Sequence, residues 1–302
     1  MKNILVISYS QSGQLDEILD NFLIPFKEHR IERVHVSPVK KFSFPWTSEV
    51  FFNVMPECVL EKPAPLKPFN LSRENYDLII IGYQPWFLSP AQPTTSLFNN
   101  PEFKKVLKGA NIATVIGARN MWLNSQESIV KWIDEAGGKL VANIPFIDKV
   151  QNHISALTIL HWMSTGTKTR RWGFLPLPGV SDRDINDANR FGTPLAKALE
   201  EENFNGVQKA ILSSGTIKIN PSIILIESRA KKFFDVWANI ITKKGTTAAK
   251  RVFWSKLFKW YLIIALFVVS PPIIIIHTLL RPFLWFKIKK NQHKYLYLGI
   301  EN

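Results

Sequence analysis

Short apolar segments alternate with helical segments along the first 150 residues, and this alternation restricts the fold more than any other feature. Segments rich in β-branched residues occupy 3–7, 33–36, 78–82 and 112–117, with a weaker one at 140–147. Between them apolar residues recur at helical spacing, as at Leu15, Ile18, Leu19 and Phe22. Strands that alternate with helices form βαβ units, whose parallel sheet is covered on both faces. The sequence therefore predicts an α/β fold with a doubly wound, five-stranded parallel sheet.

The alternation stops after residue 147, and three parts of the chain follow from that boundary. We predict a sheet domain at 1–150, a helical extension at 151–242 that packs on it, and a basic apolar tail at 243–302. Helical stretches are predicted at 154–163, 185–202 and 223–242 within the extension. The connection 37–77 is too long and too rich in proline for a crossover helix, so we expect it to cover a functional site.

The positive charge is concentrated in the tail. Residues 243–302 hold eleven Lys or Arg against one acid, whereas the first 242 residues hold 27 against 23. This distribution argues against a nucleic-acid partner. A single cysteine, Cys58, excludes an internal disulfide and a cysteine-rich zinc site, and no metal site is predicted elsewhere. The N-terminal segment lacks the pattern of a secretory signal, so we expect a cytoplasmic protein.

The loop after the first predicted strand has the composition of a phosphate site. The first turn of a helix offers unpaired N–H groups and a partial positive charge, which favour an anion. Small hydroxyl side chains and a glycine let the backbone approach a phosphate closely, and the loop holds no cation, so neutral donors would bind it. Dinucleotide and P-loop glycine patterns are absent. The alternative is a serine-rich turn that only caps a helix. The candidate residues are Ser10, Gln11, Ser12, Gly13 and Gln14.

Two further loops follow neighbouring strands and belong to the same edge of the predicted sheet, where doubly wound folds bind ligands. The first contains aromatic residues that can stack on a planar ring, and the second offers backbone N–H groups and one cation. The alternatives are ordinary packing for the aromatic residues and a surface position for the arginine. The first loop comprises Gln84, Pro85, Trp86 and Phe87, and the second Gly117, Ala118, Arg119 and Asn120.

The run Ser10-Gln11-Ser12-Gly13-Gln14-Leu15 resembles the phosphate loop of flavodoxin-like proteins, which reads roughly Ser/Thr-x-Ser/Thr-Gly-Asn-Thr and binds FMN. Gln14 and Leu15 depart from that pattern. Together with IIIGYQPWFLSPAQP at 79–93 and the basic apolar C-terminus, the chain resembles one flavodoxin-like branch, the bacterial dialkylresorcinol condensing enzymes. The resemblance implies FMN as cofactor, held by the three loops. It also implies a role in the biosynthesis of aryl lipid pigments.

The resemblance implies a pathway in which a ketosynthase joins two acyl chains and the ring product is aromatised. The chain lacks a ketosynthase nucleophile arrangement, so the hypothesis is FMN-dependent oxidative aromatisation of an alkylated cyclohexanedione at the membrane surface. Catalytic candidates are Arg119, which would face the flavin N1 and O2 edge, and His153 or His161 as bases. The alternatives are an NAD(P)H:quinone oxidoreductase and a non-catalytic membrane adaptor for a ketosynthase or acyl carrier protein.

The tail contains a run at 260–280 without Asp, Glu, Lys or Arg, long enough to cross a bilayer. Pro271 and Pro272 interrupt it, and basic residues flank both ends. We therefore predict a shallow hairpin with limbs at 260–269 and 273–286, a turn at 270–272, and contact with the inner membrane surface through 254–297. Tyr295 and Tyr297 are among its expected interfacial residues. A kinked single span and a soluble core helix or dimer interface remain alternatives, and the oligomeric state is left open.

Overall fold

The computed structural model describes residues 1–215 and 217–300, and a five-stranded sheet forms its centre. All neighbouring strands are parallel, in the order β2-β1-β3-β4-β5. This 2-1-3-4-5 order is the flavodoxin-like form of the doubly wound fold, so the predicted fold class is confirmed. The strands are β1 (Asn3–Ser8), β2 (Arg30–His35), β3 (Leu78–Tyr83), β4 (Asn111–Ala118) and β5 (Lys139–Ile147).

Helices cover both faces of the sheet, as its buried central strands require. On one face Leu15 and Phe22 pack in the same core as Leu195 and Ile211. The helical extension therefore supplies part of the covering layer. The helices of 1–214 are α1 (Gln14–Phe22), α2 (Ser48–Asn53), α3 (Met55–Val59), α4 (Gln92–Phe98), α5 (Pro101–Leu107), α6 (Leu123–Glu135), α7 (Asn152–Thr165), α8 (Asp182–Asn186), α9 (Asn189–Glu200) and α10 (Val207–Ser214).

Two predicted boundaries were wrong. The second strand begins at Arg30 rather than residue 33, because the edge strand continues its pairing with β1 through Arg30, Ile31 and Glu32, where one apolar residue between two charged ones gives only a weak strand pattern. The predicted helix 185–202 is two helices, α8 and α9, which end and begin on either side of 187–188.

Gly192 lies where α9 crosses the end of α1, and a Cβ there would be 2.2 Å from the backbone oxygen of Phe22.

A chain of buried hydrogen bonds crosses the sheet. Tyr83 Oη donates to Gln126 Oε1 at 2.6 Å, and Gln126 Nε2 donates to Thr114 Oγ1 at 3.3 Å. Thr114 Oγ1 in turn donates to Asn143 Oδ1 at 2.9 Å, and the Asn143 backbone N–H donates to Gln208 Oε1 at 2.9 Å. Because buried polar groups need partners, this chain fixes α6 and α10 to opposite faces of the same strands.

The predicted hairpin in the tail is wrong, because the chain continues as a helix through the two prolines. After α11 (Pro221–Lys244), α12 (Ala248–Ile264), a π-helical segment (Ala265–Val269) and α13 (Ser270–Leu280) form one continuous helix of 33 residues. Pro271 and Pro272 lie in the first turn of α13, where the wider π-helical segment tolerates their missing N–H groups. Ser270 Oγ donates to the Leu266 carbonyl at 2.7 Å and satisfies one acceptor there.

This apolar helix, residues 248–280, is long and apolar enough to cross a membrane by length and composition. Trp260, Ile264 and Val268 repeat every four residues on its exposed face. The chain then turns at 281–284, and α14 (Trp285–Leu296) returns to the sheet domain. Tyr295, expected at the membrane interface, is instead buried in the core beside the sheet.

Candidate functional site

The loop between β1 and α1 has the backbone of an anion site. Gly13 caps α1 with a φ of +85°, a conformation that suits glycine. Ser10 Oγ is buried and, among the described residues, has no hydrogen-bond partner. At the start of α1 the N–H groups of Gln14 and Leu15 have no intrahelical acceptor, whereas the Asp16 N–H donates to the Gly13 carbonyl at 2.9 Å. Asp16 in the same turn has a buried Oδ1 that lies 3.6 Å from His35 Nδ1 and has no hydrogen-bond partner among the described residues, and burial raises the pKa of its carboxyl. The loop therefore offers neutral donors beside one acid.

The glutamine side chains of this loop are already bonded to other segments. Gln14 Nε2 donates to the Val180 carbonyl at 3.2 Å, and the Val180 N–H donates to Gln14 Oε1 at 2.9 Å. Gln11 Nε2 donates to the Ser43 carbonyl at 2.9 Å, while the Gln11 N–H donates to Gln84 Oε1 at 3.0 Å. These side chains position the loop against the covering segments, so direct contact with a phosphate falls to the backbone and to the serines.

The three predicted loops meet around one cavity of about 220 Å³, which we call the strand-end cavity. Helix α7 covers it with Ile159, Trp162 and Met163, and the long connection covers it with Phe44 and Phe51. Its lining includes most of the predicted cofactor residues, namely Gln11, Ser12, Gln14, Gln84, Pro85, Trp86, Phe87, Gly117, Ala118 and Arg119.

Three predicted residues lie elsewhere. Ser10 lines a neighbouring depression of about 230 Å³ together with His35 and Lys41. Asn120 lines a separate, larger cavity of about 1130 Å³, where its amide donates to Asn152 Oδ1 at 3.0 Å. Gly13 is absent from the lining of the strand-end cavity, and open space surrounds its Cα. The phosphate loop thus lies at the edge of the cavity.

The aromatic loop is held by a strained turn. Pro85–Trp86 pairs antiparallel with Ser89–Pro90, and the two residues between them, Phe87 and Leu88, have φ values of 50° and 64°. Two-residue turns with both φ positive usually take glycine, asparagine or aspartate, so two large apolar residues here carry a conformational cost of about 1–3 kcal/mol each. The strained turn places Phe87 in the cavity wall, 4.8 Å from the ring centre of Phe51.

Trp86 lies in an aromatic cluster at the cavity edge. Its ring meets Trp46 edge to face at 5.0 Å between ring centres, Phe42 at 5.1 Å and Tyr9 at 5.8 Å. Both Phe42 and Trp46 come from the long connection 37–77. This segment therefore covers the predicted loops, as expected from its length and proline content.

Arg119 is the cation of the strand-end cavity. Its Nη1 donates to Asn152 Oδ1 at 2.7 Å and to the Asn152 carbonyl at 3.0 Å. Among the described residues no carboxylate lies within ion-pair distance of its guanidinium. Burial lowers the pKa of Arg119 to about 10, opposed by the more distant charges of Asp148 and Glu227. The group stays protonated at neutral pH and presents a cation that a negative oxygen can use.

A buried acid near this site was missed by the sequence analysis. Glu227 of α11 is fully buried; its Oε1 accepts the Asn124 N–H at 2.9 Å, and its Oε2 has no partner among the described residues. Burial raises the pKa of Glu227 to about 8. Its signal in the sequence was one acid following the apolar run Ile223–Ile226. Glu227 does not line the strand-end cavity, so it can affect Arg119 only through its charge.

The two histidines predicted as catalytic bases, His153 and His161, lie in different environments. His153 Nε2 lies 2.9 Å from Ser270 Oγ of the apolar helix, and His153 is absent from the strand-end cavity. His161 lines a second cavity of about 510 Å³ between α7, α11 and residues 261–270, which we call the helix cavity. Cys58 is buried, and burial raises the pKa of its thiol, which opposes a nucleophilic role.

The comparisons with known proteins give similarity in fold. No model of a protein family matches the chain, and no curated protein sequence matches it. A flavoprotein from Lactobacillus acidophilus NCFM, solved in complex with FMN, is 18% identical with a TM-score of 0.40, over 48% of this chain and 93% of that chain. Flavodoxin 1 from Bacillus cereus is 13% identical with a TM-score of 0.37, over 65% and 97%. An azoreductase from Bacillus anthracis is 7% identical with a TM-score of 0.32, over 64% and 99%.

Proposed function

We propose that this protein is an FMN-dependent oxidoreductase that aromatises an alkylated cyclohexanedione to a resorcinol at the membrane surface, as in dialkylresorcinol biosynthesis. The observation that carries the proposal is the strand-end cavity, where three loops from neighbouring strands meet beside the unpaired cation of Arg119. The loop chemistry fits FMN. Ser10, Ser12 and the first N–H groups of α1 would hold the phosphate, and Trp86, Phe87 and residues 117–118 would line the ring site.

Aromatisation removes two hydrogens from the ring substrate, one as a hydride and one as a proton. FMN, when bound, supplies the hydride acceptor. Arg119 stabilises negative charge on a ring oxygen of the dione, which favours its enolate form. We assign the role of proton acceptor to His161, which is the histidine among the described residues that line the two cavities. Helix α7 and the long connection shield the reacting ring from bulk water.

The test of cofactor binding is a visible absorption spectrum of the purified full chain, with identification of whatever heat releases. We expect stoichiometric FMN. Ser10→Ala should weaken FMN binding about tenfold, because it removes a donor to a charged group. Ser8→Ala is the matched control, since its hydroxyl is also buried without a described partner but belongs to the strand. A colourless protein that takes up no added FMN would contradict the proposal and favour the membrane adaptor.

The test of the reaction is aerobic incubation of the FMN-loaded protein with an alkylated cyclohexane-1,3-dione. We expect the corresponding resorcinol, identified by mass spectrometry. Rapid reduction of soluble quinones by NAD(P)H, with the dione unchanged, would support the quinone oxidoreductase instead.

A further inference from the structure

The helix cavity lies directly beside the strand-end cavity. Both are lined by Phe51, Phe87, Arg119, Ile159 and Met163. The strained Phe87 turn and Arg119 therefore separate the strand-end cavity from a second space that extends toward the apolar helix. Its volume of about 510 Å³ lies within the range of small-molecule sites.

The walls of the helix cavity are mainly hydrocarbon. Helix α7 contributes Ala156 and Leu160, and α11 contributes Ile226, Ala230 and Phe234. The apolar helix closes the remaining side, and its Lys259 Nζ donates to Ser48 Oγ of α2 at 3.0 Å. A cavity with such walls binds apolar groups, and Arg119 and His161 give it a polar side.

The apolar helix presents one face to this cavity and another to the outside. Leu262, Leu266 and Phe267 line the cavity, whereas Ile264 and Val268 are exposed. The π-helical segment, which includes Leu266 and Phe267, lies at the cavity wall. An exposed apolar face suits lipid, so in a membrane this helix would separate lipid from the cavity by one layer of side chains.

We infer that the helix cavity binds the hydrocarbon chain of a membrane-derived substrate, with the ring of that substrate beside Arg119. The chain belongs to an amphiphile that passes from lipid along the apolar helix into the cavity. The role of the ring rests on the proposed function, whereas binding of the chain does not require FMN.

The experiment uses the full chain in nanodiscs of phosphatidylcholine and phosphatidylglycerol, prepared with and without FMN. The probes are cyclohexane-1,3-diones with hexyl, decyl or tetradecyl chains, and a decyl probe with a terminal diazirine for crosslinking. We expect the affinity, expressed against the free probe concentration in water, to rise about fourfold per added methylene. It should level off when the cavity is full. Crosslinks should map to cavity residues such as Leu160, Ala230 and Leu266. A diazirine fatty acid, tested in parallel, distinguishes a lipid chain without the ring.

Ala230→Trp fills the cavity and should weaken binding of the decyl probe at least about tenfold while FMN content stays unchanged. Val236→Trp is the matched control, because Val236 is 56% exposed on the same helix. Crosslinks confined to exposed residues such as Ile264, or affinity independent of chain length in the wild-type protein, would overturn the inference. If the fatty acid binds as tightly as the decyl dione or more tightly, the inference that the substrate carries a ring would be overturned. Chain-dependent binding in a protein that takes up no FMN would support the inference and contradict the proposed function.

Discussion

At the residue scale, two ionisable groups near the strand-end cavity are displaced from their ordinary pKa values by burial. Arg119 keeps its charge and lines the cavity, while Glu227, one helix away, holds its proton up to about pH 8. A protonated Glu227 does not oppose the positive charge of Arg119, which leaves Asp148 as the nearby carboxylate that acts on it. Asn152 accepts from the guanidinium and holds it in place without neutralising it.

Arg119→Gln should lower kcat for the dione about a hundredfold, because it removes a fixed charge that stabilises a negative oxygen. Arg119→Lys keeps the charge and should lower kcat less than Arg119→Gln does. The measurement is steady-state turnover with FMN content matched between variants. His153→Gln is the control, since His153 lies outside the strand-end cavity. Unchanged kcat in Arg119→Gln would remove Arg119 from the reaction.

Glu227→Gln should stabilise the protein increasingly as pH rises. The folded-state pKa of about 8 lies above the ordinary 4.5 of glutamate. The contribution of Glu227 to stability is therefore fully present below pH 4.5 and is lost as pH rises to about 8, by up to about 1.4 kcal/mol per pH unit. Thermal unfolding between about pH 5 and pH 8 measures the difference from the wild type. A difference that does not change with pH would show that Glu227 titrates normally; the exposed Glu135→Gln is the control.

At the element scale, the strand-to-loop transitions were predictable and the helix contacts were not. Apolar runs that end in serine or glycine identify β1, β3 and β4 and their loops, because local composition decides where a buried strand stops. The continuous apolar helix was mispredicted because proline usually breaks a helix, as was expected at Pro271. In addition, a π-helical turn has no sequence pattern of its own. The bonds of Gln14 to Val180 depend on a long-range contact, which local periodicity does not contain.

Gln14→Leu should destabilise the protein by about 1–3 kcal/mol, because it leaves the buried polar groups of Val180 without partners. It should also weaken FMN binding, since α1 begins at the phosphate loop. The measurements are chemical unfolding and FMN titration. Glu17→Gln, exposed on the same helix, is the control. A variant as stable as the wild type would show that the Gln14 bonds contribute nothing net.

At the scale of the whole molecule, the tail combines positive charge with an exposed apolar face. Lysines flank both ends of the apolar helix, and each contributes about 1 kcal/mol near an anionic surface. The same helix lines the helix cavity, so a membrane-derived substrate of the kind proposed would have a short path from its exposed face to that cavity.

The full chain should bind phosphatidylglycerol vesicles, and part of that binding should persist at high salt, where charges are screened but apolar contacts are not. Ile264→Asp should reduce the salt-resistant part. Ile24→Asp is the control, because Ile24 is 50% exposed on the sheet domain. Vesicle flotation measures both. Equal binding of the two variants would mean that the exposed face of the apolar helix does not contact lipid.

The bonds between Gln14 and Val180 span 166 positions, and those between Gln208 and Leu296 span 88. A ribosome adds about 5–20 residues per second, so the segment around Val180 is synthesised roughly ten to thirty seconds after the first loop. The polar chain across the sheet is completed only when α14 has been made, because Gln208 Nε2 donates to the Leu296 carbonyl. Long-range closure of this kind slows folding. A ligand of the strand-end cavity consequently meets its finished site only after the segment around Val180 has been synthesised and folded back onto the first loop.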